Sequence, residues 1–192
     1  MSAQAFDVHR LRIDKVAEAL SGGTEPHLLS GDRYKQSLRD GRRVIDSNGQ
    51  EVEDVTVHPH LRAVNTLAKV MDLQFNPESR DALTYVDEVD GGRRATGWQV
   101  PTTRDHLWAK REAARRTTLE TLGMFGRPPD YGPMMALGFL ACIDRIEVEN
   151  REFADNVRHY VKMSSDFNLL STDLIVDPQS DRRIPRSDKP GI

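Results

Sequence analysis

The sequence is short of several things at once. It has a single cysteine, Cys142, among 192 residues. An intramolecular disulfide is therefore excluded, and a thiolate zinc site would lack its other sulfurs. The expectation for Cys142 is a small buried hydrophobe in a reducing, cytoplasmic compartment. Cationic excess is missing too: 27 Lys and Arg stand against 30 Asp and Glu, a net charge of −3. A nucleic-acid-binding chain ordinarily carries a basic surplus or stripe, so no nucleic-acid partner is expected. The longest apolar run, 134–143, is bounded by Pro133 and Asp144 and falls far short of the roughly 20 apolar residues of a membrane span. The opening MSAQAFDVHRLRIDK has no continuous apolar core and no small-residue cleavage site, so it does not read as a signal peptide. Glycine-rich phosphate loops, nucleophile elbows and metalloprotease helices are absent. The composition that remains, 38% hydrophobic and 30% charged, is that of a globular chain with one core.

Along the chain, 1–30 reads as a leader with one short helix over 6–20, ended by Ser21-Gly22-Gly23. Residues 31–40 read as a helix closed by Gly41. Asn48-Gly49, set between Val44-Ile45 and the Val52, Val55, Val57 series, is a hairpin signal, so a hairpin is expected over 43–57. Leu61, Val64, Leu67, Ala68 and Met71 recur at steps of three and four, the pattern of an amphipathic helix. A short helix after Pro77, up to Leu83, precedes a Gly- and Arg-rich stretch over 91–100 that reads as a loop or short strand. Thr102 and Asp105 form a capping box for a long helix to about Phe125, with Leu107, Ala114, Thr118 and Leu122 inward and Lys110, Arg111, Arg115 and Arg116 outward. Residues 134–143 read as a buried helix, and 148–167 as another with Phe153, Val157, Tyr160, Val161 and Ser164 inward. Trp98, Trp108, Phe139 and Phe153 are expected in the core. Residues 169–176 read as extended, and 177–192 as a polar linker leading to something further. His58-Pro59-His60 lacks a third metal ligand at suitable spacing and reads as a turn into a helix. No metal site is expected.

Between Gly126 and Tyr131 stands Arg127-Pro128-Pro129-Asp130. Its prolines exclude continuous helix. Taken alone, it reads as a stiff turn in which Arg127 pairs with Asp130.

The stretch Gly126-Arg127-Pro128-Pro129-Asp130-Tyr131 resembles the Gly-Arg-(Ser/Thr)-Pro-Asp-Tyr signature of the 4-hydroxyphenylacetate 3-hydroxylase family. These proteins are the large oxygenase components of two-component, reduced-flavin-dependent aromatic monooxygenases. Further matches follow in family order: Ser37 to Arg42 (SLRDGR), Val55 to Pro59, Val100 to Leu107, Phe153 to Arg158 (FADNVR) and Asp177 to Arg182 (DPQSDR). Together they cover about 30–188.

The resemblance implies a mainly α fold, the helical N-terminal domain of an acyl-CoA-dehydrogenase-like flavoprotein, with one early β-hairpin. The helical domain would span 31–176. It implies ortho-hydroxylation of a phenol-type aromatic substrate using FADH2 and O2, a separate flavin reductase and a homotetramer. By the same resemblance Arg127 and Tyr131 bind the phenolic oxygen, flanked by Pro128, Pro129 and Asp130, while Gln179, Ser180, Asp181 and Arg182 line FAD. In family members a histidine makes a third substrate contact. Here Asp173 holds its place, either facing the substrate or capping locally. An ionised carboxylate only accepts hydrogen bonds, whereas neutral imidazole donates one and accepts another. This departure favours an aromatic amine or other cationic donor over a bare phenolate. Family members are more than twice this length, so the chain would supply one wall of the flavin site and be inactive alone. Two rivals stand beside this reading. One is a non-enzymatic truncated domain or interaction module. The other is the iron–sulfur hydroxyacyl-CoA dehydratase branch, which needs more cysteines than Cys142 supplies.

Overall fold

Three of the described helices start at a side-chain oxygen cap, and the close crossing at Gly31 depends on a small residue. The computed structural model describes residues 17, 18, 20, 21, 23–123 and 131–171. Helix α1, Gly31–Ser37, begins where the Ser30 hydroxyl accepts the Arg33 amide. Gly31 packs directly on the next long helix, α2 (Ala63–Asp72): a Cβ at Gly31 would lie 2.4 Å from the Ala68 carbonyl oxygen, and the Gly31 amide donates to Asp72 Oδ1 at 2.7 Å. Helix α2 buries Ala68, Val70 and Met71. A 3₁₀ turn, Pro59–Leu61, leads into it, with His58 accepting the His60 amide as its cap.

The expected hairpin over 43–57 shrinks to a turn and one bridge, Ile45↔Glu51, with Gly49 at φ +81°. Asp46 Oδ1 takes the amides of Asn48 and Gln50 in the turn, and Asp54 takes that of Thr56. Such side-chain bonds compete with ladder pairing, and Val57 lies exposed, giving a strand nothing to pack on. The two-stranded antiparallel sheet forms later in the chain. After α3 (Arg80–Leu83), β1 (Thr84–Val86) pairs with β2 (Arg93–Ala95) in the register Tyr85↔Arg94. A second 3₁₀ turn, Thr96–Trp98, follows.

Helix α4, Arg104–Glu120, is capped by Thr103, which accepts the His106 amide, one residue beyond the expected cap. Its buried residues are Ala113 and Thr117; of the expected inward series, Ala114 lines the internal cavity and Thr118 is half-buried. The small Ala113 admits close contact with Leu73 and Leu83, while Leu107 and Leu122 face out. Lys110 also turns inward: its Nζ donates to the Thr96 and Gly97 carbonyls at 3.1 and 2.6 Å, satisfying the 3₁₀ turn. On the rest of the cationic face Arg115 pairs with Glu112, Arg111 stacks on a half-exposed Trp108, and Arg116 is largely buried beside Glu120.

Helix α5 (Tyr131–Ala141) runs into α6 (Ile143–Glu149) and then α7 (Arg151–Asp166). The expected helix over 148–167 is split because Asn150 leaves helical geometry and accepts the Phe153 amide as a fresh cap. Both α5 and α6 pack on α7. Ala154, Val157, Val161 and Ser164 are the inward stripe of α7. One core joins Ala95, Trp98, Ala136, Leu137 and Val161. Trp98 is core as expected. Trp108, Phe139 and Phe153 are each nearly half exposed, because they sit on the outward faces of α4, α5 and α7. Cys142, expected buried, is exposed at the break between α5 and α6. No described helix is long and apolar enough to cross a membrane. Most of the expected leader helix over 6–20 lies outside the described residues, as do 172–192.

Candidate active site

Tyr131 opens α5 half-buried, and the next two residues, Gly132 and Pro133, are buried. Gly132 is where two distant stretches touch. A Cβ built on it would fall 2.2 Å from Ser171 Cβ and 3.2 Å from the Ser171 carbonyl oxygen. Only glycine permits that approach. Ser171 is two residues short of Asp173, and Gly132 directly follows Tyr131. The contact therefore joins two points that in sequence stand next to Tyr131 and two residues before Asp173. Arg127, Pro128, Pro129, Asp130, Asp173, Gln179, Ser180, Asp181 and Arg182 lie outside the described residues.

The 169–171 segment is held from behind. The Leu169 carbonyl accepts Trp98 Nε1 at 3.3 Å, and Ser171 Oγ lies 2.7 Å from the Tyr160 hydroxyl. Tyr160 in turn meets Trp98 edge to face. One residue earlier, Asn168 is buried and donates from Nδ2 to Gln74 Oε1 at 2.7 Å.

Two hollows flank this region. A cavity of about 70 Å³ lies among Met71, Leu83, Trp98, Ala113, Pro133 and Leu169. A cavity of about 150 Å³ has room for benzene, so this hollow is small for an aromatic ring. An open cleft of about 470 Å³ is bordered by Leu20, Pro26, His27, Asp166 and Phe167. Its one versatile group, His27, is already engaged: Nδ1 with the Asp166 carbonyl and Nε2 with Arg94.

Charge near the site concentrates on Arg94. Its side chain is 5% exposed and forms a bidentate pair with Asp90 at 2.6 and 2.8 Å. It also reaches Asp166 at 2.9 Å and Asp87 at 3.4 Å. The Arg94 hydrogen bonds hold the Asp90 carboxyl far below the usual range, helped by the Gly92 amide. Burial pushes Asp166 up, but hydrogen bonds from Lys162 and Arg94 outweigh it and leave the group lowered. Both carboxylates are committed anions, suited to holding structure and not to proton transfer at neutral pH. Burial pushes the Tyr85 hydroxyl up despite its bond to Ser165. His58 and His60 stand exposed at a turn, and no group of three or more His, Cys, Asp or Glu among the described residues is arranged to hold a metal ion.

Gly132, Asn168 and Arg94 were not legible as site-related residues. Each acts through a partner more than 35 positions away in sequence, Ser171, Gln74 and Asp166 respectively. No local pattern reports such pairs.

Comparison with known proteins agrees with this architecture. The family model described as 4-hydroxyphenylacetate 3-hydroxylase N terminal matches residues 30–191. The oxygenase component of 4-hydroxyphenylacetate 3-monooxygenase from Thermus thermophilus is 34% identical over 162 residues, 84% of this chain and 32% of the relative. The FADH(2)-dependent monooxygenase TftD of Burkholderia cepacia is 32% identical over 165 residues, 81% of this chain and 31% of that protein. The chain thus spans about a third of the length of these curated relatives. A crystal structure of a 4-hydroxyphenylacetate 3-monooxygenase oxygenase component complexed with FAD and 4-hydroxyphenylacetate superposes with TM-score 0.73 at 34% identity, covering 84% of this chain and 33% of that one. The mainly helical, acyl-CoA-dehydrogenase-like fold expected from the sequence is the fold of these structures. With its matched residues running from the start of α1 through both stretches that meet at Gly132 and Ser171, the chain belongs to the 4-hydroxyphenylacetate 3-hydroxylase family, as the N-terminal domain.

Proposed function

We propose that this chain is the N-terminal part of an FADH2-dependent aromatic monooxygenase that adds one oxygen atom ortho to a ring hydroxyl or similar donor. The overall reaction consumes a phenol-type substrate, O2 and FADH2 and yields the hydroxylated ring, water and FAD. The observation that carries the reading is the Gly132–Ser171 contact: it joins the residue that follows Tyr131 to one that stands two positions before Asp173 in sequence. Family membership and relatives named as such monooxygenases support it.

In this reading Arg127 stabilises the developing phenolate and the Tyr131 hydroxyl donates to it. Pro128 and Pro129 stiffen the turn that holds both, and Asp130 pairs within it. Asp173, standing for the histidine of relatives, biases selection toward a substrate that can donate to a carboxylate. The donor set Gln179, Ser180, Asp181 and Arg182 fits FAD chemically: amide and hydroxyl groups suit the polar flavin rim, and a guanidinium suits the pyrophosphate. When bound, the reduced flavin supplies the activation of O2; the chain's own residues orient the ring and exclude water. A separate reductase delivers FADH2. Homotetrameric assembly and a cytoplasmic location complete the proposal. The exposed Met134, Met135, Phe139 and Phe153 favour burial of this face against further protein, and the exposed free thiol of Cys142 suits a reducing compartment.

The test is hydroxylation by the complete protein supplied with FADH2 and O2. Arg127→Ala should lower product formation roughly 100-fold or more, the scale of losing a charge-stabilising donor, while FADH2 oxidation continues and hydrogen peroxide accumulates. Unchanged hydroxylation removes Arg127 from the site. Asp173→His should shift preference toward simple phenols, and an unchanged substrate profile removes Asp173. Failure of the complete protein to bind reduced flavin would favour the interaction-module reading.

A further inference from the structure

The exit of the chain from α7 toward the site is fixed by an unusual choice of residue. Asn168 has φ +49°, in the left-handed region. Around it the Leu169 amide bonds back to the Ser164 carbonyl at 2.9 Å and the Asn168 amide to that of Ser165 at 3.3 Å. This is the helix-terminating arrangement in which glycine is the usual residue, because it alone meets no Cβ penalty. Glycine would satisfy the backbone here. Asparagine adds a side chain, and that side chain is buried and aimed at α2: Nδ2 donates to Gln74 Oε1 at 2.7 Å and lies 3.7 Å from Met71 Sδ. Gln74 is buried as well, and its own Nε2 points back at the same Met71 sulfur at 3.9 Å. The pair is thus a closed polar link between the end of α7 and the end of α2, in a setting where an unmatched amide is costly.

Beyond this link the next residues follow a single course. Leu169 is held by Trp98 and Ser171 by Tyr160, and Ser171 then meets Gly132. A rotation at Asn168 would move all three contacts, and with them the point from which the chain continues to Asp173.

We infer that Asn168, tied to Gln74, is a positioning residue that sets where Ser171 meets Gly132, beside Tyr131, and so tunes how tightly the aromatic substrate is held. The inference rests on the proposed monooxygenase reading. Asn168 acts through the backbone it aims and touches neither substrate nor flavin in this account.

The test uses the complete protein and three variants. Asn168→Gly keeps the left-handed backbone and removes the link; Gln74→Leu removes it from the other side; the double variant combines them. In each, KM for the aromatic substrate should rise by about 10-fold, a fraction of the roughly 100-fold that a 1 Å misplacement can cost. The yield of hydroxylated product per FADH2 consumed should fall, while the rate of FADH2 oxidation without aromatic substrate stays unchanged. The double variant should be no worse than either single one. Amide hydrogen exchange over 169–171 should quicken without a matching change in α4. An active wild-type protein whose folded Asn168→Gly variant keeps its KM and product yield overturns the inference alone. Effects of the two single variants that multiply in the double overturn the link. A wild-type protein that hydroxylates no aromatic compound overturns the monooxygenase reading, and this inference with it.

Discussion

The two ends of α7 are built on different principles. At the C-terminal end, charges and amides converge: Asp166 accepts from Arg94 and Lys162, Asn168 links to Gln74, and Trp98 ties down the Leu169 carbonyl. Asp166, Asn168 and Leu169 each have a partner on another element, whereas the buried Ser164 hydroxyl has none among the described residues. At the N-terminal end the helix has its Asn150 cap and a half-exposed Arg158–Glu147 pair, and its largest apolar side chain, Phe153, stacks edge to face on Phe139 at the surface. The first arrangement fixes a position; the second leaves apolar area for something else to cover. The fixed end is the one from which the chain runs toward Asp173. Under the proposed function the ring and its donors would have to be held to within fractions of an ångström, and the fold concentrates its buried polar contacts at that end.

Breaking the fixed end should have the largest effects. Trp98 is 3% exposed and stands in the core with Ala136, Leu137 and Val161 while also donating to Leu169. Trp98→Ala should cost about 3–5 kcal/mol, the range for deleting a large buried aromatic, read as a lower urea midpoint at constant slope. Loss of less than about 1 kcal/mol would show that the core closes without it. Arg94→Leu comes next. Removing one member of a buried ionic cluster costs about 3–5 kcal/mol, and the lower part of that range applies because Asp90 and Asp166 keep some solvent contact. The check is a thermal or urea transition beside that of the wild type. A neutral result would mean that the carboxylates find full solvation once the guanidinium is gone.

The contrast between the two ends was only half visible in the sequence. The α2 helix was legible because Leu61, Val64, Leu67, Ala68 and Met71 repeat at helical steps, and Ala68 and Met71 are indeed buried. The Asn48-Gly49 turn was legible from its dipeptide, and the ladder it announced is cut to the Ile45↔Glu51 bridge with backbone bonds Asp46 to Gln50 and Val52 to Val44, since Asp46 and Asp54 divert other amides. The sheet that does form was legible only in part: 91–100 read as a loop or short strand and holds Arg93–Ala95, while the partner strand Thr84–Val86 is too short to show a pattern. Arg94 is buried only because three carboxylates from two other segments meet it. Tyr131 was singled out through family resemblance. Gly132 was passed over because its reason, Ser171, lies 39 positions away.

Acid should probe the fixed end more gently. Asp90 and Asp166 both have lowered folded-state values. Their stabilisation is complete above the unfolded-state carboxylate range, about pH 4, and is lost as pH falls through the lower folded-state values. The wild-type urea midpoint should therefore fall steeply below about pH 4. Arg94→Leu removes the main partner of Asp90 and one of the two cations that lower Asp166, so its acid-side slope should be shallower. Parallel slopes from pH 2 to 6 would mean that other carboxylates dominate acid unfolding.

The smallest effect belongs to the open end. Phe153 is 47% exposed and faces Phe139, itself 47% exposed. Phe153→Ser should shift the intrinsic stability of the helical domain by no more than about 0.5 kcal/mol, as for surface substitutions generally. Its effect should surface elsewhere. If this face is covered in the assembled protein, the change places a hydroxyl against apolar neighbours and weakens association, so light scattering of the complete protein at falling concentration should show earlier dissociation than in the wild type. A stability loss above about 2 kcal/mol without change in assembly would mean that Phe153 is a core residue of its own domain. The two ends of α7 would then be alike, both serving to hold the helix in place.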